Sequence, residues 1–337
     1  MRRGCGWCPP HLKEALRAGI RGFMDDQTSL KMYAAAVFSN NMMPGQSLHE
    51  RHLMPFEKQI AIQTPYILES YHYIGKDKIA QQIRSSGFKI FLDSGAFSAK
   101  HSGAVVDVKD YCLFIKKYED IFLIDDGIPV IAGLDVIDSA EETYHNVKYM
   151  ESQGVRCLPT YHIHEDEKVL EWYVANYDYI AIGGVASVSS KQATIWMDRL
   201  WERYLTDGAG RRKVKVHGFA TTSVPIMRRY PWWSVDSSTW VQIASYGGIW
   251  IPDVGVIKVS SASPRKHDAG QHITTLTDIE RQYIESKVTG QGFDLERLAN
   301  IPYGRFAYNL WAYEQIDIDV NRRKAIEGNP VWERQLF

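Results

Sequence analysis

Short apolar, β-branched runs alternate with longer stretches of helical period along most of this chain. The runs Tyr33–Phe38, Phe88–Leu92, Val130–Leu134, Arg156–Tyr161, Tyr179–Ile182, Val214–Gly218 and Trp233–Val235 predict strands, and a last strand is expected within Trp250–Val259. Between them, amphipathic stretches near Lys76–Ser86, Val108–Tyr118, Ala140–Gln153, Asp166–Asn176, Gln192–Leu205 and Val224–Arg229 predict helices. Ser139 and Glu142 have the spacing of a capping box at the start of the third helix: the hydroxyl can satisfy a free helix amide while the carboxylate reaches back. Strand–helix alternation implies a parallel sheet. The number of strand candidates predicts an α/β protein with a (β/α)₈ TIM barrel rather than an open sheet.

The rest of the chain has a different texture. Thr277–Val288, Asp294–Asn300 and Arg305–Gln315 read as helices, so residues 263–337 are expected to form a helical extension packed on a barrel of residues 31–262. Residues 1–30 read as an N-terminal arm with one helix at Pro10–Ala18, and Met42–Phe56, rich in Met, His and Pro, as a loop over the barrel mouth.

Composition narrows the function classes. The chain has 337 residues and a formal net charge of -1, with 45% apolar and 23% charged residues, which fits a globular enzyme. It contains no apolar run of the roughly 18 residues that a membrane span needs, and no apolar stretch follows the first positive charges, so a cytoplasmic location is expected. Cys5, Cys8, Cys112 and Cys157 are too few for a disulfide framework, and the single Cys5/Cys8 pair reads as two thiols in the arm before it reads as a metal or redox site. A neutral net charge disfavours indiscriminate coating of nucleic acid but allows a local basic patch. Basic clusters occur at Arg211-Arg212-Lys213, Arg228-Arg229, Arg265-Lys266-His267 and Arg322-Arg323-Lys324; each alone reads as solvated surface, and Arg211, Arg212, Arg228 and Arg229 are the first candidates to track a phosphate backbone.

In barrel enzymes the chemistry sits where strands end and βα loops begin. Asp93 follows the run ending at Leu92, Asp135 follows Leu134, and Asp236 follows Val235, so three expected strands deliver an aspartate to one rim. Each can equally cap the next helix, although Asp138 and Ser139 are better placed than Asp135 to cap the helix at Ala140. Converging carboxylates repel each other, which raises at least one pKa and suits acid/base work. Gly183 and Gly184 at a strand end either let a ligand approach the backbone amides or form a tight turn. Phe97 is placed to stack on a planar ligand, and His162 to hydrogen-bond a substrate, with ordinary packing as the alternative for both. The His162/His164 pair has no third ligand nearby in sequence, so no metal site is expected.

The order of these motifs resembles the tRNA-guanine transglycosylase superfamily. Asp93-Ser94-Gly95-Ala96-Phe97, Gly133-Leu134-Asp135, Ala181-Ile182-Gly183-Gly184-Val185-Ala186, His217-Gly218 and Val235-Asp236 match its succession of motifs over roughly residues 88–240. The resemblance implies a (β/α)₈ barrel with Asp236 as nucleophile and Asp93 as general acid/base. It implies a base-binding set of Asp135, Ser94, Phe97, His162, Gly183, Gly184 and His217, with Asp135 reading the guanine edge. The departures are informative. The tRNA enzymes carry a Cys₃His zinc site after the nucleophile, and no cysteine follows Cys157 here; Ala96 replaces a loop glycine, and His217 stands near a family methionine. These losses point to the divergent phage and bacterial branch that inserts 7-deazaguanines of the preQ0 type into DNA, with DNA favoured over tRNA as the partner.

The resemblance thus implies exchange of guanine in nucleic acid for a free 7-deazaguanine, without a metal or organic cofactor, in the host cytoplasm if the chain is phage-encoded. The alternatives are a tRNA-guanine transglycosylase, a carboxylate-based N-glycosidase or nucleosidase, and a non-catalytic nucleic-acid-binding barrel.

Overall fold

A computed structural model describes residues 29–327 except 186, 187, 222, 253, 265 and 269. The expected helix at Pro10–Ala18 and the Cys5/Cys8 pair lie outside the described residues. Among the described residues the chain divides into two compact units, one of residues 29–40, 65–237 and 323–327, the other of residues 41–64 and 238–322.

The first unit is α/β. Its seven strands are β1 (Lys31–Ala35), β2 (Ile67–Ser70), β3 (Phe91–Asp93), β4 (Thr160–His162), β5 (Tyr179–Gly183), β6 (Lys215–Gly218) and β7 (Ser234–Ser237). They form one all-parallel sheet in the order β3-β2-β1-β7-β6-β5-β4. Residues 130–132 run beside both outer strands: Ala132 N donates to Leu92 O at 2.8 Å and Leu158 N donates to Ile131 O at 2.8 Å. These contacts are isolated parallel bridges, Leu92 to Ile131 and Ala132 to Leu158, so the expected strand Val130–Leu134 is not a ladder strand.

Alternation along the strands builds the core. Tyr33, Ala35, Leu68, Phe91, Val130, Ala132, Leu158, Tyr179 and Trp233 form one buried cluster, each turned to the same face of its strand or segment. At the N-terminal edge this cluster ends on a polar plug. Asp125 accepts from Lys31 Nζ at 2.7 Å and from Trp233 Nε1 at 2.6 Å, while Lys31 and Lys215 lie 4.1 and 4.3 Å from the Trp233 ring centroid. Two lysines and an indole thus share one buried carboxylate, which satisfies a charge that would otherwise be expensive to bury.

Two expectations change. The stretch Trp250–Val259 belongs to the second unit, as an antiparallel hairpin of Gly248–Ile251 and Gly255–Lys258. Pro252 lacks an amide donor and Gly255 takes a φ of 106°, so the run folds back instead of continuing as one strand. The sheet holds instead a strand with no expected counterpart, Ile67–Ser70, between β1 and β3, while β1 pairs directly with β7. Met42–Phe56 is not a loop: it contains the helix Ser47–His52 and the start of Pro55–Ile62. Pro55 at the first helical position needs no amide partner, and Glu57 accepts from Met54 N at 2.8 Å. The helices Asp278–Gly290, Leu295–Asn300 and Pro302–Glu327 follow. Among the described residues no helix is long and apolar enough to cross a membrane.

Candidate active site

Asp93 closes β3, Asp236 lies in β7 opposite Tyr33 of β1, and Asp135 follows the bridging segment. All three therefore sit toward the C-terminal end of the parallel sheet. Their proximity is visible in the Asp93 carboxyl, which is pushed up to about 7 by burial first and then by the charges of Asp135 and Asp236, against the help of the Gly95 amide. That amide donates to Asp93 Oδ2 at 3.1 Å. Gly95 has a φ of 77°, and a Cβ there would lie 2.7 Å from both His72 N and Ser70 Oγ, so only glycine lets the loop after β3 turn this tightly.

Asp236 is oriented from one side. Its Oδ1 accepts from Ala220 N at 3.0 Å and lies 3.2 Å from His217 Nε2, while the side chain is only 10% exposed. Ala220 has a φ of 51°, a region that L-residues avoid at a cost on the order of 1 kcal/mol or more, and this strained residue is the one whose amide meets the carboxylate. His217 is fully buried, and burial lowers its pKa despite Asp236, so its imidazole is neutral at neutral pH. Its other nitrogen lies 2.6 Å from Ser234 Oγ, which lies 2.6 Å from Tyr179 OH. With both nitrogens engaged and no exposed surface, His217 is not placed to touch a base; it braces Asp236.

Asp135 is held on both oxygens. Ser94 Oγ lies 2.8 Å from its Oδ1, and His162 Nε2 lies 3.0 Å from its Oδ2. His162 Nδ1 lies 3.1 Å from Glu165 Oε1, and His162 N donates to Glu165 Oε2 at 3.1 Å. Burial disfavours the charge on His162, yet the bonds to Asp135 and Glu165 outweigh it and raise the imidazole to about 9. His162 is thus an imidazolium between two carboxylates. A Cβ on Gly183 would come within 2.8 Å of the His162 ring, so Gly183 makes room for the imidazolium, and Gly184, with a φ of 81°, turns the chain beside Ile163. Phe97 is 65% exposed and rests against His101 at 4.1 Å between centroids, leaving much of its surface open for stacking.

The four arginines expected to meet phosphates lie elsewhere. Arg211 and Arg212 precede β6, and Arg228 and Arg229 end the helix Val224–Arg229, shortly before β7 begins. Residues just before parallel strands sit at the N-terminal edge, opposite the aspartates. Three of the heads are also committed: Arg211 to Asp207 at 2.9 Å, Arg212 to the Trp232 carbonyl at 2.9 Å, and Arg229 to Asp198 at 2.7 and 2.8 Å. The short loops that join each strand of this sheet to the helix after it contain no arginine.

Ala220, Ser234, Tyr179 and Glu165 were not singled out from the sequence. Two signals were there to use: Ser234 and Asp236 share a strand face by alternation, and Glu165 follows His162 by three residues. Among the described residues no cluster of His, Cys, Asp and Glu is placed to hold a metal ion. No protein-family model matches this chain, and no curated protein matches it.

Proposed function

We propose that this chain is an N-glycosyl transferase that breaks the bond between a guanine-type base and its sugar, with Asp236 as nucleophile and Asp93 as general acid/base. The observation that carries this reading is the contrast between the two carboxylates. Asp236 is anchored through Oδ1 by an amide and an imidazole, with Oδ2 making none of the described hydrogen bonds, while Asp93 is pushed up to about 7. A carboxylate fixed through one oxygen with the other left over suits a nucleophile, and a carboxyl that keeps its proton near neutral pH suits a proton carrier.

In this reading Asp236 Oδ2 bonds to C1′ as the C1′–N9 bond breaks, and protonated Asp93 gives its proton to the departing base. A glycosyl ester on Asp236 remains. An incoming free 7-deazaguanine then loses its N9 proton to Asp93, N9 bonds to C1′, and Asp236 leaves as carboxylate. Asp135, fixed by Ser94 and His162, faces the donor edge of the base, and Phe97 stacks on its plane. A base inside a duplex has to be flipped or unpaired first. We read the parallel sheet together with residues 130–132 as an eight-stranded (β/α)₈ barrel; the bridges from that segment to Leu92 and Leu158 support this closure. The departures from the tRNA enzymes, above all the lack of any cysteine after Cys157, support DNA as the polymer.

The arginine placement favours a second reading, in which the substrate is a small N-glycoside and water accepts the sugar. The experiment that separates them incubates the protein with labelled guanine and, in parallel, DNA, tRNA or free nucleosides. Label entering DNA supports exchange in DNA, and label entering tRNA moves the proposal to the tRNA branch. Free base released from nucleosides without incorporation establishes the hydrolase, and neither label nor release contradicts both.

A further inference from the structure

Three buried side chains stand in line behind Asp236. Tyr179 OH lies 2.6 Å from Ser234 Oγ, Ser234 Oγ 2.6 Å from His217 Nδ1, and His217 Nε2 3.2 Å from Asp236 Oδ1. Ser234 and His217 are fully buried and Tyr179 is 2% exposed, so water does not complete any of these bonds from outside. They come from three neighbouring strands, β5, β6 and β7, with His217 paired to Ser234 in the sheet register.

The hydrogen positions follow from counting donors. A neutral imidazole has one N–H and one lone pair. If the proton sat on Nδ1, the Nε2 lone pair would face a carboxylate oxygen, and two acceptors would meet in a dry interior. A buried polar contact left without a donor costs on the order of 1–3 kcal/mol. With the proton on Nε2, every contact has one donor and one acceptor. His217 donates to Asp236, Ser234 donates to His217 Nδ1, and Tyr179 donates to Ser234. A buried phenol, whose pKa is raised chiefly by burial, keeps the proton that this last position requires.

We infer that Tyr179, Ser234 and His217 form a one-way hydrogen-bond relay that locks His217 as the Nε2–H tautomer and holds Asp236 with Oδ1 engaged and Oδ2 open to the reacting carbon. All three are positioning residues. The inference rests on the reading of Asp236 as nucleophile, and it deepens that reading by naming what sets the carboxylate. Loss of the relay frees His217 to turn its lone pair toward Asp236, which favours the protonated, non-nucleophilic acid. The relay moves no proton in the reaction. It fixes where protons already are.

The test uses the full chain, ¹⁵N-labelled at histidine, with NMR reporting the protonation of each His217 nitrogen, alongside single-turnover trapping of a guanine-containing substrate. The expected wild-type spectrum has a neutral His217 protonated at Nε2 and hydrogen-bonded at Nδ1. Ser234→Ala is expected to lose the Nδ1 hydrogen-bond signature and to slow trapping by about tenfold or more at unchanged substrate KM, as a lost orienting bond does. His217→Gln, whose amide can donate to Asp236, is expected to retain more activity than His217→Leu. If Ser234→Ala does not fold, Tyr179→Phe makes the same comparison with the ring kept, and a few-fold slowing with an altered Ser234–His217 bond is expected. A wild-type His217 that is charged or protonated at Nδ1 overturns the relay, as do His217→Leu and Ser234→Ala proteins that trap at the wild-type rate. A wild-type protein that traps nothing overturns the nucleophile reading and the positioning role together, while the tautomer in the same sample still decides whether the relay exists.

Discussion

The hydroxyl of Ser94 lies 2.8 Å from Asp135 Oδ1, joining the residue after the candidate acid/base to the carboxylate on the neighbouring segment. Ser94 Oγ also accepts from Ala96 N at 3.2 Å, which ties that hydroxyl to the start of the helix Ala96–Ser102. Asp93 and Asp135 are therefore set by one turn, and the charge that Asp135 presents to Asp93 is held in a fixed place.

Asp93 makes stability and activity pull in opposite directions. Its folded pKa of about 7 exceeds the ordinary carboxyl value, because burial and the neighbouring aspartates disfavour the anion. The folded protein binds this proton more tightly than the unfolded chain, so stability falls as pH rises from about 4 to about 7 and levels off above. Asp93→Asn removes the buried anion. It is expected to be more stable than wild type near pH 8 by on the order of 2–4 kcal/mol, and so to melt at a higher temperature, while turnover drops about 10²–10⁴-fold. Thermal melts across pH on both proteins check this. A variant less stable than wild type at alkaline pH contradicts the assignment.

His162 carries the opposite sign. Burial opposes its charge, but the bonds to Asp135 and Glu165 raise it to about 9. A base raised in the folded state contributes stability that is fully present below about pH 6.5 and lost as pH rises through about 9. His162→Gln is expected to be destabilised relative to wild type at pH 6, with the difference shrinking by about pH 10. Chemical denaturation at the two pH values measures it. A pH-independent difference means that packing, not charge, is what His162 supplies.

The placement of the arginines predicts where polymer binding does not reside. Arg211→Ala and Arg229→Ala are expected to leave affinity for guanine-containing polynucleotide, and its salt dependence, within about twofold of wild type. A phosphate-contacting residue would instead lower the salt slope by about one. Titrations at several salt concentrations decide between the two.

Much of this arrangement was legible because apolar period and chain order are local properties. β5, β6 and β7 were expected within two residues of where they lie, and each of the three aspartates falls at the end of an expected strand. Asp135 was recognised as spare for capping, and Ser139 does cap the helix, accepting from Glu142 N at 3.2 Å, with Asp138 paired to Lys100. What escaped depends on distant partners. Ile67–Ser70 has only two apolar residues, and its Glu69 is fully buried to accept from Phe38 N at 2.6 Å, a role that no local pattern announces. The arginine clusters looked alike in sequence; strand direction alone puts them at the edge away from the aspartates. The family resemblance alone implies a base contact for His217, and its burial and its two bonds turn it to Asp236 instead.

The central claim is that Asp236 forms a bond to the sugar, and covalent trapping on a denaturing gel tests it most directly. Wild-type protein with guanine-containing polynucleotide, or with a nucleoside probe if the polymer is not a substrate, is expected to give an adduct that incoming free base discharges. Asp236→Ala, which deletes the carboxylate held by His217 and Ala220, is expected to give none, whereas Asp93→Asn is expected to form the adduct slowly and to discharge it slowly. An adduct that persists in Asp236→Ala and vanishes only when Asp93 is replaced would contradict the account and exchange the two roles.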